Sequence, residues 1–300
     1  QKVTNLAKDG TTSSELLQSL QGDSTMQSAV AGADIIVVTI GANDILQPVL
    51  NNDVVKVDDY DNVYDLANAI KDNQIAFQKY LRANMPTAVA NANTNIDSII
   101  LQLKSTNDHA KLVFQTVYDP LSVDQDTGLS SNALSMLSTF SNGQMYQYLN
   151  GSANGGTYIP VGLNQNLQTH AQNGEIYLAD VYNIFLHHAW TNVNIANADV
   201  HPTATGHAAI ANLLIDSGYF PTVTNTAGDI DGDEKIDVSD AVAVLTEYAR
   251  IAAGNEAQFN PAQKKSADVN GDGMLDVSDA VGILIYYAKQ ASGQTPSFNS

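Results

Sequence analysis

Between Gln1 and Phe220 two hydrophobic periods alternate along the chain. Residues 3–5 read as the end of a short strand, and 11–20 as a helix with Leu16, Leu17 and Leu20 on one side. Residues 35–40 form an unbroken apolar run, the pattern of a strand covered on both faces. Leu66, Ile70, Asn73, Phe77 and Leu81 step by threes and fours, which predicts a helix. It should stop short of Pro86, because the residue before a proline avoids the α region. A second helix follows at 96–103, a strand at 112–117, a short strand at 176–178 and a helix at 205–215. Strands alternating with helices of this length predict βαβ units, hence an α/β module whose parallel sheet is flanked by helices. The stretch 122–157 is rich in Ser, Asn and Gly, and its length predicts local helix around 133–140.

Beyond Phe220 the pattern changes. Pro221-Thr222-Val223-Thr224-Asn225-Thr226-Ala227 has no apolar period and reads as a linker, which gives modules at 1–221 and 229–300 joined by 222–228. The second module contains a repeat: GDIDGDEKIDVSDAVAVLTEYA from Gly228 returns as ADVNGDGMLDVSDAVGILIYYA from Ala267. Each copy is an acid-rich loop followed by a helical period. Val242, Leu245 and Ala249 share a face in the first, and Val281, Leu284, Ile285 and Ala288 in the second. One such unit cannot bury its own apolar face, so the two copies are expected to pack on each other through these residues.

Composition narrows the function classes. The 300 residues carry a net charge of −19. That disfavours nucleic acid and anionic membranes as partners. No apolar run reaches the length of a membrane span. Cysteine is absent, which removes disulfides, thiolate nucleophiles and Cys-ligated zinc. The polar start at Gln1 is not a signal peptide, so the chain is either one never exported or a mature form.

Three blocks of the first module carry candidate chemistry. Gly41-Ala42-Asn43-Asp44 follows an apolar strand, at the sheet edge where open α/β folds place their sites. An Asn amide there can stabilise an oxyanion, although Gly, Asn and Asp are also ordinary turn residues. Asp199-Val200-His201-Pro202-Thr203 places a loop histidine beside an acid, a candidate base, or simply a loop ahead of a helix capped by Thr203 or Thr205. Asn5-Leu6-Ala7-Lys8-Asp9-Gly10-Thr11-Thr12 is a strand end, a glycine turn and a helix start, whose backbone amides can face an anion.

In this order the three blocks resemble those of the SGNH (GDSL-like) hydrolases, over roughly residues 1–220. The resemblance implies a flavodoxin-like fold and serine esterase chemistry needing no cofactor. It assigns Gly10 and Asn43 to the oxyanion hole, His201 to the base and Asp199 to the acid that orients it. The strand sequence KLVFQTVYDP also looks like one these enzymes carry. Two features depart from the family. Its acid stands three residues before the histidine, where this chain has Ala198, and Asp199 stands two before. Its Gly-Asp-Ser nucleophile block precedes the segment that here begins at Asn5, so the first strand and the nucleophile are missing from the 300 residues. Gly22-Asp23-Ser24 follows a helix rather than a strand and is read as coincidence; Ser13 and Ser14 read as first-turn residues of a helix. His187 and His188, beside Trp190, could line a substrate pocket but are expected to be a partly buried structural pair; His109 and His170 are expected on the surface, and His207 to cap or pack against the closing helix.

The strongest pattern lies in the repeat. Asp229, Asp231, Asp233, Lys235, Asp237 and Asp240 occupy the ligand positions of a twelve-residue calcium loop. Asp268, Asn270, Asp272, Met274, Asp276 and Asp279 do the same in the second copy. Position 7 contributes a backbone carbonyl, so Lys235 and Met274 are compatible there. Gly273 suits the sharp turn at position 6, whereas Glu234 holds that place in the first loop at a conformational cost. These duplicated loop–helix units resemble dockerins, most like type I. The resemblance implies a small all-α module with two calcium ions, and a cohesin on a cellulosome scaffold as its partner. Val238-Ser239 and Val277-Ser278 fall where that family carries recognition residues, which implies two near-equivalent faces. The whole then reads as a secreted, scaffold-bound esterase acting on plant polysaccharide, or as a silent module carried by a working dockerin.

Overall fold

The computed structural model describes residues 3–50, 52–56, 59–60, 62–122, 135, 138–152, 158–197, 199–220 and 226–298. Thr4–Phe220 form one compact unit, and the chain beyond Phe220 belongs to another. Residues 221–225 of the expected linker lie outside the described residues.

The first unit is built on three parallel strands, β1 (Ile35–Val38), β2 (Lys111–Gln115) and β3 (Tyr177–Ala179), in that spatial order. Val37, Val113 and Tyr177 lie in one row of the register, so they share a face. The central strand β2 is buried on both faces through Leu112, Val113 and Phe114. The same expectation for residues 35–40 is corrected: Val38 and Ile40 are buried, but Val37 is 42% exposed. Strand side chains alternate, and the face of β1 that carries Val37 is only partly covered. Among the described residues no strand pairs with the outer edge of β1. Residues 3–5 do not form a strand either, and Val3 is exposed, because a strand persists only beside a hydrogen-bonded neighbour.

Helices α1 (Ser13–Gly22), α2 (Ser24–Ala31), α3 (Ala42–Leu50), α4 (Val63–Asp72) and α5 (Gln74–Thr106) account for most of the rest. Helix α1 begins at a capping box in which Thr12 and Glu15 satisfy each other's backbone amides. The helical period at 66–81 is divided by Asn73 into the end of α4 and the start of α5. The expected stop before Pro86 is corrected, since α5 runs through the proline to Thr106. Leu81, Met85, Val89, Ala92, Ile96, Ile99, Ile100 and Leu103 form one buried stripe across it. Their combined burial, at about 1.5–3 kcal/mol for each large side chain, outweighs the ~3 kcal/mol that an interior proline costs.

Of the helix expected at 133–140, residues 135 and 138–140 are helical and the remainder lie outside the described residues. A π-helical turn (Ser141–Met145) leads into α6 (Tyr146–Asn150). Then come α7 (Leu163–Gln172), α8 (Val181–Phe185), α9 (Ala189–Asn192) and α10 (Ala204–Asp216). No helix among the described residues is long and apolar enough to cross a membrane.

The second unit holds α11 (Val238–Ala252), α12 (Pro261–Ala267) and α13 (Val277–Ala291). The two repeat helices do pack on each other, but not through the expected faces. Ala241, Val244, Ala280 and Ile283 are buried with Ile230, Ala267 and Val269, whereas Val242, Leu245, Val281, Leu284 and Ile285 are exposed. Small side chains at Ala241 and Ala280 suit a close helix–helix approach, and the larger apolar residues form an outward stripe on each helix. The intervening helix α12 was not expected; Asn260 caps it and Pro261 takes its first position. Glu247 is buried and accepts the backbone amides of Gln258 and Phe259, which fixes the connection into α12. Phe298 stacks on Tyr286 and closes over Gly228, where a Cβ would stand 2.4 Å from its ring.

Gly206, in the first turn of α10, makes the tightest approach in the first unit. A Cβ there would lie 2.1 Å from the carbonyl oxygen of Asn192. Gly206→Ala should therefore lower stability by about 1–3 kcal/mol, read as a lower thermal unfolding midpoint of the first unit.

Candidate functional site

The Gly10 and Asn43 blocks are brought together at the carboxyl end of β1. Gly41 leaves the strand with φ +101, a conformation that favours glycine, and a Cβ there would meet Leu163 at 3.1 Å. The chain then enters α3 directly, so Asn43 and Asp44 sit in a helical first turn rather than in the open turn their composition allowed. Asn43 Nδ2 donates to the Thr11 carbonyl at 3.1 Å. Gln47 Nε2 donates to the Gly10 carbonyl at 3.0 Å, and Gly10 itself has φ +74. Asp44 accepts the Ser13 amide at 2.8 Å and the Ser13 hydroxyl at 2.6 Å. The start of α1 is thus strapped to the start of α3. A groove of about 400 Å³ opens beside Gly10, lined by Lys8, Thr11, Glu15 and Asp23 among others.

Asp199 and His201 form a second cluster, on the loop ahead of α10. One carboxylate oxygen, Asp199 Oδ1, accepts the His201 backbone amide at 3.0 Å and lies 2.6 Å from His201 Nδ1. A separation of two residues allows both bonds at once, as in an Asx turn. The ring is 76% and the carboxylate 43% exposed. Partial desolvation acts to raise the Asp199 pKa, but the amide and ring of His201 prevail and hold it below the usual carboxylate range. Ala198, the family's position for the acid, lies outside the described residues. The His201 carbonyl accepts the Asn194 amide at 3.0 Å, Val193 bridges Pro202, and Thr203 caps α10.

No contact joins His201 to Asn43 among the described residues; what relates them is the exit of β2. Fully buried Asn164 accepts the Val117 amide and donates to the Val117 carbonyl, at 2.8 and 2.9 Å. Val117 in turn lies 3.8 Å from where a Cβ of Gly41 would stand.

The serines weighed from the sequence sit at helix starts. Asp23 caps α2 by accepting the Thr25 and Met26 amides, and Ser24 is the first residue of that helix, so Gly22-Asp23-Ser24 is a helix junction. Ser13 is buried and held by Asp44 and Asn95. Among the described residues no hydroxyl is bonded to His201 Nε2.

The remaining histidines bring three corrections, one of them His207, which is exposed while Thr203 caps the closing helix. His187 and His188 are exposed rather than partly buried; the His187 amide donates to the Ser122 hydroxyl, with φ +65. His170 is not a surface residue. Its ring is largely buried between Glu175 at Nδ1 and Asp97 at Nε2, the latter at 2.8 Å. The carboxylates are distant in sequence or on a turn, so no local spacing announced the clamp. His109 and His207 are exposed.

In the second unit the carboxylates of Asp229, Asp231 and Asp233 converge within 4.8 Å of one another. In the other loop Asp268 Oδ1 is buried without a hydrogen-bond partner, while Oδ2 accepts the Gly273 amide. Asp240 and Asp279 are buried at the loop ends and accept the Ile230 and Val269 amides. Burial pushes both of these carboxyls up, an environment that a bound cation compensates. Gly273 has φ +79, and Glu234 adopts the same left-handed conformation at φ +67. Both loops therefore fit a hard divalent ion, with Asp229, Asp231, Asp233, Asp240, Asp268, Asn270, Asp272 and Asp279 as side-chain donors and the Lys235 and Met274 carbonyls completing the set. Asp237 and Asp276 cap the following helices. Val238, Ser239, Val277 and Ser278 are exposed in the first turns of those helices.

Comparison with known proteins adds two family matches. Residues 1–214 match the model of GDSL-like lipase/acylhydrolases, and residues 227–285 that of the dockerin type I domain. No curated protein matches the chain. A solved structure, the lipase Lip_vut3 from a goat rumen metagenome, is 17% identical, over 70% of this chain and 75% of that one, with a TM-score of 0.40.

The His170 clamp generates a pH dependence. Partial burial opposes the ring's charge, but the bonds and charges of Asp97 and Glu175 prevail and raise its pKa. A raised pKa stabilises the folded state below the unfolded value of ~6.5, and that stability is lost as pH rises through the folded value. Stability of the first unit should therefore fall as pH is raised above about 6.5, measured by denaturant unfolding. His170→Gln should flatten that dependence.

Proposed function

The chain belongs to the GDSL-like lipase/acylhydrolase family and carries a type I dockerin, and on that premise we propose that it is a secreted ester hydrolase of a cellulosome. Its substrates on this reading are acetyl or acyl esters of plant cell-wall polysaccharide. The observation that carries the catalytic part is the bond between Asp199 and His201 Nδ1, which leaves Nε2 as the basic nitrogen of the ring.

On this reading His201 Nε2 removes the proton of an attacking hydroxyl, and the hydroxyl oxygen adds to the ester carbonyl. His201 then passes the proton to the departing sugar oxygen, and water releases the acyl group by the same route. Asp199 holds the ring in the required tautomer and offsets its transient charge. Asn43 has two amide hydrogens, of which one donates to Thr11, so the second is free to serve the oxyanion together with the Gly10 amide. The hydroxyl itself belongs to a serine at the end of one more parallel strand. The outer edge of β1, unpaired among the described residues, and the exposed Val37 support a strand beside β1, with its carboxyl end near Gly41.

A second reading has a specific observation in its favour. Ser13 and Ser24 are both committed to helix starts, and no hydroxyl reaches His201 Nε2 among the described residues. A chain restricted to these residues would act through its dockerin alone.

Dockerin domains bind calcium in general, and here we assign one ion to each loop. Cohesin binding then uses the outward stripes of α11 and α13, which begin at Val238-Ser239 and Val277-Ser278. Ser239 and Ser278 occupy matching positions, each hydroxyl donating to the capping aspartate two residues earlier. Matching positions in the two copies support two interchangeable faces.

The catalytic part is tested by extending the chain upstream with a strand that ends in Gly-Asp-Ser and assaying acetyl-ester hydrolysis. Turnover is expected only in the extended chain. There Asn43→Ala should lower kcat by roughly 10²–10³, the loss typical of one oxyanion donor. His201→Ala should cost more and Asp199→Ala less. Hydrolysis by the unextended chain that disappears with Ser24→Ala or Ser13→Ala would refute the added-strand nucleophile.

The dockerin part is tested on the full chain by isothermal titration with calcium and with a type I cohesin. Chelation should abolish cohesin binding. Glu234→Gly should tighten the first loop for calcium by relieving its left-handed strain. Altering Val238 and Ser239 alone should leave binding near normal, and altering Val277 and Ser278 as well should abolish it.

A further inference from the structure

The loop that carries Asp199 and His201 is only half-buried, and the His201 ring is exposed, so burial alone does not hold it in place. One side chain from just beyond the sheet reaches it. Tyr118, the third residue after the end of β2, donates its hydroxyl to the Val200 carbonyl at 2.7 Å. Val200 lies between the acid and the histidine in sequence. The Tyr118 ring packs on Phe185 with centroids 4.6 Å apart, and joins the cluster of Val181, Phe185, Ala189, Val193 and Ile195. That cluster underlies the segment 193–195 to which the His201 carbonyl is bonded. Tyr118 therefore touches the loop at its one central carbonyl and its foundation at once.

We propose that Tyr118 is a positioning residue, whose hydroxyl fixes the Asp199–His201 pair relative to the carboxyl end of β2. This rests on the reading of His201 as the base. The neighbouring residue supplies the reason such a tether matters. Val117 is locked by Asn164 and lies against Gly41, the glycine that leads into Asn43. Consecutive residues at one strand end thus face the two halves of the site, Val117 towards Asn43 and Tyr118 towards His201. The phenol suits the role: burial first, and the Asp199 charge second, keep it protonated, so it remains a donor. A phenylalanine would keep the ring contact and lose only the tether.

The experiment needs no turnover. In the 300-residue chain, carbon NMR follows the Asp199 carboxyl titration, and hydrogen exchange follows the His201 amide, which is bonded to the same carboxylate. With Tyr118→Phe the Asp199 titration should move up towards the ordinary carboxylate range. The His201 amide should exchange about five-fold faster, the effect of losing roughly one hydrogen bond's worth of restraint. In the unaltered chain the Tyr118 hydroxyl proton should appear as a slowly exchanging resonance close to Val200, which tests the bond even if the variant fails to fold. An unchanged Asp199 titration in Tyr118→Phe overturns the proposal, and a lowered melting temperature alone does so equally, because that is the signature of packing. Absence of the slow hydroxyl resonance overturns it too. If the tether is confirmed while His201→Ala leaves turnover intact in the strand-extended chain, the reading of His201 as base fails and the positional role of Tyr118 stands.

Discussion

The first unit depends on how β2 ends. A parallel strand cannot turn back on its neighbour, so its last residues must be anchored by something other than the ladder. Here the anchor is the buried amide of Asn164, which closes both backbone groups of Val117. A buried peptide group left open costs more than the bond returns when it is made, so this position has little freedom. Everything placed on that strand end inherits its fixity. Gly41 packs beside Val117, and its positive φ aims the chain into α3, which presents Asn43. Both candidate clusters therefore lie at the carboxyl edge of the sheet, the edge where open α/β folds bind ligands.

The second unit answers to an opposite constraint. Its small core is flanked by two acidic loops, and the carboxylates that close those loops are buried. Such an arrangement is self-opposing unless charge is brought in from outside. The closure of the loops and the register of the repeat are linked. Asp240 and Asp279 bond to the loops from the helices that follow, so each loop and helix form one object. The close approach of Ala241, Val244, Ala280 and Ile283 then turns the larger apolar residues outward. On the reading proposed above, the apolar stripe that this packing leaves exposed is the surface offered to the partner.

Much of this was legible in the sequence, and the misses have physical causes. The parallel α/β pattern, the repeat and the calcium-loop spacing could be read because they are local periodicities. The exposed face of β1 was not legible, since an apolar run looks the same in a central strand and at a sheet edge. Pro86 misled because helix-breaking is a local rule, and the buried stripe of α5 that overrides it is a tertiary fact. The faces of α11 and α13 were inverted because both sides of each helix are apolar, so the period alone does not say which side packs. For the site, the Asp199–His201 contact follows from sequence neighbourhood. The His170 clamp and the Val117–Asn164 pair do not, because their partners are brought in from far along the chain.

The departure from the family's acid spacing has its own logic. With the acid two residues before the histidine, one carboxylate oxygen takes both the backbone amide and the ring of His201. The bond that orients the imidazole is then also the bond that shapes the loop. A pair built this way needs no burial to keep its internal geometry, which agrees with a ring that is 76% exposed. What it lacks is a fixed place relative to the oxyanion donors, because an exposed turn can move as a unit. That place comes from outside the pair: from the Tyr118 hydroxyl on the Val200 carbonyl, and beneath it from Val193 against Pro202, Thr203 at the start of α10 and Gly206 pressed against the Asn192 carbonyl. The orientation of the base is drawn from within the loop and its position from outside it, and the Tyr118 hydroxyl, bonded to the carbonyl of the residue between acid and base, bears on both.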